Sequence, residues 1–126
     1  MKLTHLALWT SDLEDSARFW AEYFDARIGE AYVSQNRPGF RSRFVTLPKN
    51  DVPIELMEGP WVEPYPGEAC GWAHIAYSVG SVKAVDEMAA RFAASGLLVS
   101  QPRRTGDGYY EAVVRSPEGV LIEIVE

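Results

Sequence analysis

Two histidines and two glutamates recur in the sequence with nearly the same spacing. His5 and His74 are the only histidines, and each precedes an aliphatic residue, an alanine and a large residue. Glu55 follows His5 by 50 positions and Glu123 follows His74 by 49, each between aliphatic neighbours. Imidazole and carboxylate groups are ligands for divalent Zn, Ni, Fe, Co and Mn. The pattern is compatible with one ion bound by all four residues, and equally with histidines satisfied in a core and glutamates facing water.

The strands that must carry these residues are repeated as well. Residues 2–9 and 72–79 alternate in a way typical of strands, and each begins one half of the repeat. Residues 52–58 and 119–125 alternate likewise and end the two halves. The aliphatic neighbours of each His or Glu point to the opposite face, where they can pack a core. We therefore expect both carboxylates to be at least half-buried, a state that is costly without a partner.

Two amphipathic helices and four further strands complete the predicted elements. Ser11 and Ser81 stand where helix N-caps are expected, before helices at about 12–25 and 82–95. The other predicted strands cover residues 28–35, 41–47, 97–101 and 109–115. Each half therefore reads β-α-β-β-β, which predicts an α+β fold built from two modules.

Residues 59–70 separate the two halves. Two glycines and three prolines in this segment exclude a regular helix or a central strand. We interpret the chain as a single domain, 1–126, made of module 1 (1–58), this linker and module 2 (71–126). A module of this size buries little core by itself, so the modules are expected to pair within one chain or across two.

Composition and charge narrow the classes of function. The 126 residues are 47% hydrophobic and 24% charged, as in water-soluble globular proteins. A net charge of −6 argues against nucleic acid or an anionic membrane surface as a partner. No apolar run is long enough to span a bilayer, and the first residues lack a secretion signal. Cys70 is the only cysteine, so no intrachain disulfide can form and a reducing cytoplasm is the expected location.

Five short stretches together carry a family pattern. They are Leu3-Thr4-His5-Leu6-Ala7-Leu8, Asp12-Leu13-Glu14-Asp15-Ser16 with Phe19-Trp20, Pro53-Ile54-Glu55-Leu56, Ala73-His74-Ile75-Ala76, and Ser116-Pro117-Glu118-Gly119 before Ile122-Glu123. In this order and spacing they resemble the vicinal oxygen chelate superfamily, which includes glyoxalase I, extradiol dioxygenases and bleomycin-resistance proteins. The resemblance covers essentially the whole chain. Its His-Glu-His-Glu pattern is most similar to small bacterial glyoxalase I-like proteins.

The resemblance implies a fold, a metal site and a chemistry. It implies two βαβββ modules whose curved mixed sheets surround a metal-containing cleft. It implies that a divalent ion (Ni, Zn, Co, Mn or Fe) is bound by His5, Glu55, His74 and Glu123. It also implies a homodimer in which one site takes the first His and Glu from one subunit and the second His and Glu from the other. The implied activity is that of a lyase or isomerase acting on a small substrate with vicinal oxygens.

The implied reaction requires a base beside the substrate carbon that loses a proton. An ion chelated by two vicinal oxygens acts as a Lewis acid and stabilises an enediolate. Glu55 and Glu123 are the two candidates for the base. Because Glu123 lies in the more aliphatic stretch, residues 120–125, we predict that Glu123 is the base and that Glu55 is mainly a ligand.

Two positions depart from the glyoxalase I pattern in the part that would bind the thiol. Bacterial glyoxalase I has an arginine four residues after the first histidine and an asparagine four residues after the first glutamate, both serving glutathione. Trp9 and Gly59 stand at these positions. They argue against a glutathione-linked substrate and leave the metal chemistry unchanged. Four arginines are candidates to bind an anionic substrate, unless they are ordinary surface residues: Arg41, Arg43, Arg103 and Arg104.

Two other functions are alternatives to the lyase. The first is an extradiol-type dioxygenase that uses Fe(II). Such enzymes resemble one another in a His-His-Glu ligand pattern, and Glu55 is extra to that pattern. A binding protein of the bleomycin-resistance type sequesters a small molecule without turnover, and such relatives lack the metal ligands. Bound iron with oxygen consumption would indicate the dioxygenase, and tight binding without turnover would indicate sequestration.

Overall fold

Nine strands and two helices make up the computed structural model, which describes all of residues 1–126. The first half contains β1 (Leu6–Trp9), α1 (Leu13–Phe24), β2 (Arg27–Ile28), β3 (Tyr32–Val33), β4 (Arg41–Thr46) and β5 (Ile54–Glu58). The second half contains β6 (His74–Ser78), α2 (Val82–Ala94), β7 (Leu98–Arg104), β8 (Tyr110–Arg115) and β9 (Leu121–Val125). Neither helix combines the length and the apolar character that a membrane-spanning helix requires.

The strands form two open, mixed sheets. One sheet has the order β1-β5-β4-β2, with β3 also beside β4, and the other has the order β6-β9-β8-β7. In each sheet the first strand pairs in parallel with the last, and every other pair is antiparallel. The predicted α+β class with two mixed sheets is confirmed. That the sheets surround a metal-containing cleft stays a prediction.

The chain divides into two compact units, Met1–Pro64 and Tyr65–Glu126. The boundary lies inside the segment 59–70, which contains no helix or strand. Each unit contains one sheet and one helix. The interpretation of the chain as a single domain stays a prediction.

Each helix begins at a side chain that caps its first turn. Asp12 Oδ1 accepts hydrogen bonds from the backbone N–H groups of Glu14 (3.1 Å) and Asp15 (2.9 Å). The predicted cap of α1, Ser11, is therefore wrong by one residue, because the Asp12 carboxylate accepts two bonds and its charge complements the helix dipole. Ser81 caps α2 as predicted, with its hydroxyl accepting from one backbone N–H at 3.2 Å.

Both cores lie between a helix and the aliphatic face of its own sheet. α1 contacts β4 and β5 and buries seven residues, of which Trp20 is the largest. α2 contacts β7, β8 and β9 and buries only Val85, Ala89 and Phe92. The sheets contribute the neighbours of the two predicted glutamates, all fully buried: Ile54, Leu56, Ile122 and Ile124. The alternation of these strands is therefore as the sequence predicts.

The predicted strand 28–35 is interrupted in the structure. β2 and β3 both pair with β4, but three residues lie between Ile28 and Tyr32, whereas only two lie between their partners Val45 and Ser42. The extra residue breaks the ladder in the manner of a β-bulge. In the second unit the predicted strand 97–101 is longer, Leu98–Arg104, and its pairing with β8 is also irregular.

Candidate metal centre

His5 and Glu55 are neighbours in the first unit. Ala7 pairs with Glu55 in the parallel ladder of β1 and β5, and alternation puts His5 on the same face as Ala7. His5 Nε2 lies 3.8 Å from Glu55 Oε2. The predicted strand 2–9 is shorter in the structure, Leu6–Trp9, so His5 immediately precedes β1 instead of lying within it.

His74 and Glu123 repeat this arrangement in the second unit. Ala76 pairs with Glu123 in the parallel ladder of β6 and β9, and His74 Nε2 lies 3.4 Å from Glu123 Oε2. The exposed fractions of the side chains also match, at 43% and 44% for the histidines and 19% and 22% for the glutamates. The repeated sequence thus produces a repeated pair in which the carboxylate is the more buried partner.

The distances within the pairs are compatible with two ligands of one ion. Donor atoms that each stand about 2.1 Å from a common ion lie roughly 3.0–3.5 Å apart when they are adjacent ligands. The 3.4 Å pair meets this spacing, and the 3.8 Å pair is slightly too long. Neither unit by itself groups three or more His, Cys, Asp or Glu side chains for a metal. The four predicted residues are therefore observed as two pairs, and their joining in one centre stays a prediction.

A groove of about 500 Å³ lies over the pair in the second unit. A volume of this size suits a small organic molecule. The groove is lined by residues of three strands and of the turn between β7 and β8: His74, Ala76, Ser78, Thr105, Asp107, Tyr109, Glu111, Glu123 and Val125. Glu123 therefore has substrate-sized space beside its carboxylate.

Glu111 is a buried acidic residue that the sequence analysis missed. It stands on β8 opposite Val125 and is 8% exposed. Burial raises the pKa of Glu111, the nearby charge of Glu123 raises it further, and Arg103, 3.6 Å away, opposes this shift. The alternation of β8 predicts that Glu111 shares a face with Glu123 only when the register of β8 against β9 is known.

The four predicted arginines are all held by carboxylates. The partners are Glu14 for Arg41 (3.0 Å) and Arg43 (3.1 Å), Glu111 for Arg103 (3.6 Å) and Glu126 for Arg104 (3.1 Å). Arg43 pairs across the ladder with the buried Leu56, so it lies on the helix-facing side of its sheet, opposite to Glu55. These contacts favour structural roles over binding of an anionic substrate.

The face of the first sheet that carries His5 is aromatic. The ring of Phe44 on β4 meets the imidazole of His5 edge-on, with 5.6 Å between ring centroids. The indole of Trp9 packs edge-on against Phe40 at 6.1 Å and against Trp61 at 6.4 Å. The segments that carry Phe40 and Trp61 were interpreted only as a turn and a linker, so sequence reasoning missed this cluster. An aromatic residue in each polar segment is the only local signal.

The two α+β units have matching strand orders, and each carries a His–Glu pair on the face opposite its helix. The family model for the Glyoxalase/Bleomycin resistance protein/Dioxygenase superfamily matches residues 2–124. Because this match covers nearly the whole chain and both pairs, the chain belongs to that superfamily. The resemblance seen in the sequence is confirmed.

Individual relatives agree with this assignment. Uncharacterized protein YqjT of Bacillus subtilis is 30% identical, over 96% of this chain and 95% of that protein. A glyoxylase/bleomycin resistance protein/dioxygenase domain from Frankia sp. EAN1pec has a TM-score of 0.84 at 19% identity, over 99% of this chain and 96% of that chain. Glyoxalase I from Zea mays has a TM-score of 0.81 at 17% identity, with 98% of this chain covering 44% of that chain. At these identities the structural likeness shows the fold alone.

Proposed function

We propose that the protein is a metal-dependent, glyoxalase-like lyase or isomerase whose divalent ion is bound by His5, Glu55, His74 and Glu123. The repeated pair supports this most strongly. Both units bring an imidazole Nε2 within 3.4–3.8 Å of a largely buried carboxylate oxygen, at equivalent positions of a parallel ladder. A mixed imidazole and carboxylate set suits Zn, Ni, Co, Mn or Fe.

The proposed reaction divides between the ion and the side chains of the groove. When bound, the ion supplies Lewis-acid stabilisation of negative charge on two vicinal substrate oxygens. Glu123 removes the proton from the neighbouring substrate carbon as a general base. The groove favours Glu123 over Glu55 for this role because it puts space for a substrate beside Glu123. The side chains of Glu55 and Glu123 are almost equally exposed, at 19% and 22%. The aliphatic stretch around Glu123 therefore does not bury it more deeply and is not the reason for choosing it as the base.

Glu111 has a complementary role in this proposal. Its carboxyl group lines the same groove, and burial together with Glu123 raises its pKa. In the proposal Glu123 acts as the base, and Glu111, paired with Arg103, lines the groove beside it.

We propose further that the site forms across a homodimer. Each unit supplies two of the proposed ligands, so a centre of four needs one unit of each kind, and the resemblance to glyoxalase-like proteins favours units from two chains. In the proposed dimer, one site takes His5 and Glu55 from one subunit and His74 and Glu123 from the other. Light scattering at micromolar concentration should then give particles of twice the 14.1 kDa chain mass. Particles of a single chain mass would remove the cross-chain arrangement.

Native metal analysis tests the ligands. Protein purified without chelator or added metal should contain a divalent ion, and His5→Ala or Glu123→Ala should weaken its binding by more than about tenfold, because a missing ligand leaves a partly buried carboxylate without its partner. Glu68→Gln changes an exposed glutamate between the two modules and is the matched control. Unchanged stoichiometry and affinity in both ligand variants would refute the assignment.

Proton abstraction is tested by solvent deuterium exchange. Hemithioacetals of several thiols are presented to the protein loaded with Ni, Co, Zn or Mn, and we expect deuterium at the reacting carbon. Iron-dependent oxygen uptake on catechols, without exchange, would identify an extradiol-type dioxygenase instead. Tight binding of a bleomycin-type drug without turnover would identify a sequestering protein.

A further inference from the structure

Four aromatic side chains of the first unit form one continuous surface, which we call the aromatic wall: Trp9, Tyr32, Phe40 and Trp61. Their rings meet edge-on, with centroids 6.1–6.4 Å apart from Trp9 to Phe40, Trp9 to Trp61 and Tyr32 to Phe40. Each edge-on contact covers a face of only one of its two rings. The wall is also accessible, since Trp9, Trp61 and Tyr32 are 40%, 38% and 56% exposed.

Two glycines allow the wall to assemble. A Cβ atom at Gly59 would stand 2.5 Å from the ring of Trp61, so any side chain there would displace that indole. A Cβ atom at Gly39 would stand 2.8 Å from the ring of Pro60, and Gly39 also has a φ of +86°, which favours glycine. The absence of a side chain at Gly59 is therefore coupled to the position of Trp61. Gly59 and Trp9 were the two departures from the glyoxalase I pattern, and both contribute to the wall.

Arg37 lies against the wall and has no acidic partner. Its guanidinium carbon is 3.9 Å from the ring centroid of Trp61 and 5.7 and 5.8 Å from those of Trp9 and Phe40. Stacking on an indole fixes the plane of the guanidinium while its N–H donors remain in that plane. Because the paired arginines of this unit share Glu14, Arg37 is the cation of the wall that is free to bind an anion. Its N–H donors match the two oxygens of a carboxylate.

The wall lies next to the His5–Glu55 pair. Trp9 pairs with Met57 in the same ladder in which Ala7 pairs with Glu55, so it stands two residues further along the strand. Two residues of a strand span about 6.6 Å and return to the same face. A molecule that contacts Trp9 therefore reaches the pair without leaving this face of the sheet.

We propose that the aromatic wall binds a planar aromatic acid, with its ring against Trp9 and its carboxylate on Arg37, which stacks on Trp61. The ring faces supply the apolar contact, the guanidinium supplies the charge, and no second cation is required. That this ligand is the substrate of the neighbouring centre rests on the proposed function. The binding itself does not, because all of its contacts come from the wall and from Arg37.

Metal-free protein provides the test. The four tryptophans give four indole N–H signals in a ¹H–¹⁵N spectrum, assigned by single Trp→Phe substitutions. Titration with 2-naphthoate after chelator treatment should shift the signals of Trp9 and Trp61 and leave those of the buried Trp20 and the exposed Trp72 unchanged. The neutral 2-naphthalenemethanol and the non-aromatic cyclohexanecarboxylate should each bind about tenfold more weakly in calorimetry, since each lacks one of the two contacts.

Matched variants separate the two contacts. Arg37→Gln should weaken 2-naphthoate about tenfold and leave 2-naphthalenemethanol unchanged, because it removes only the charge. Trp61→Leu should weaken both about tenfold, because it removes the edge-on neighbour of Trp9 and the ring on which Arg37 stacks. Gly59→Ala should do the same with every aromatic ring retained, because the new Cβ displaces Trp61. Trp72→Phe, at a side chain 83% exposed and outside the wall, is the control and should change neither.

The outcomes distinguish this inference from the proposed function. Indole signals of Trp9 and Trp61 that do not move, or a loss of affinity in Trp72→Phe equal to that in Trp61→Leu, would overturn the aromatic wall as a binding site even if the metal-loaded protein turns over a hemithioacetal. Binding of 2-naphthoate with the expected variant pattern, but no metal and no exchange, would uphold the wall and remove the enzyme.

Discussion

The two units carry the same chemical pair in different surroundings. In both, a histidine precedes or begins the first strand, a glutamate stands in the last strand, and the two strands pair in parallel with an alanine opposite the glutamate. In both, the helix packs on the other face of the sheet. The common frame therefore accounts for the equivalent geometry of the pairs, whose His–Glu distances differ by only a few tenths of an ångström.

The two units differ in the residues that lie next to each His–Glu pair on the same face of the sheet. Trp9, beside the first pair, corresponds to Ser78 beside the second, and Ser42 on β4 corresponds to Glu111 on β8. The first face is aromatic and carries one unpaired arginine, whereas the second is polar and holds a groove with a buried acid. In the functions proposed above, each copy of the repeated unit supplies two of the four ligands, while the first copy serves recognition and the second serves reaction.

The largest difference between the units is expected in the effect on turnover of substituting Glu123 or Glu55. Glu123→Gln should lower turnover by about 10²–10⁴-fold while some metal is retained, since it removes a general base. Glu55→Gln should act mainly through metal affinity. The measurement is kcat per bound ion for both variants, on the substrate that shows deuterium exchange. Equal losses per bound ion would mean that the base does not belong to the second unit.

The two helices differ in how much each buried side chain contributes to the free energy of unfolding. Phe92 is one of only three buried residues of α2 and is fully buried, so Phe92→Ala should lower the free energy of unfolding by about 3–5 kcal/mol. Tyr23 of α1, one of seven buried residues, should cost less when changed to alanine. Urea denaturation followed by circular dichroism measures both, with Phe92→Leu as a control that retains most of the volume. A loss under about 1 kcal/mol for Phe92→Ala would contradict the described packing.

Alkaline pH should destabilise the second unit through Tyr77. The equivalent position of the first unit is Leu8, which does not ionise. Burial raises the pKa of Tyr77 from 10.0 to about 12. The folded state binds the phenolic proton more tightly, so this contribution is fully present below pH 10 and is lost as the pH rises through 12. The loss is at most about 3 kcal/mol, because solvent screens this partly exposed side chain. Tyr77→Phe should therefore flatten the fall of Tm in this range, and parallel Tm profiles of the two proteins would be the contrary result.

The smallest expected difference lies at the helix caps. Asp12 accepts two backbone hydrogen bonds and complements the helix dipole, whereas Ser81 accepts one. Asp12→Ala should cost about 1–2 kcal/mol of stability and Ser81→Ala about 0.5–1 kcal/mol. Only the first loss should shrink in high salt, because only it involves a charge. Thermal unfolding at two salt concentrations tests this, and an equal salt response would contradict the assigned caps.

The repeat made most of the frame predictable from the sequence. Period-two alternation around Glu55 and Glu123 is a local property, and burial of the flanking aliphatic residues follows from it directly. The helices and most strands were predicted to within two residues of their observed ends because caps and glycines mark them locally. The pairing of His5 with Glu55 was predicted because the two histidine stretches match each other and the two glutamate stretches match each other at nearly the same spacing.

The surroundings of the pairs were not predictable in the same way. Arg37 contacts Trp61 because a turn and a linker, more than twenty residues apart in sequence, meet beside Trp9. No periodicity marks such a contact, and Gly59 is explained only by the ring that lies against it. Glu111 depends on the register between β8 and β9, which one residue of slip would reverse.

The parallel ladders also bear on how fast the protein folds and unfolds. Leu6 pairs with Ile54 and Ile75 with Ile122, so each first strand waits for a partner about 48 residues later. Contacts of such long sequence separation form late, because closing the intervening loop must come first. We predict that the His–Glu pairs are completed after the rate-limiting step of folding. An ion bound by them would slow unfolding and leave the folding rate almost unchanged, so it would lengthen the lifetime of the folded chain more than it hastens its formation.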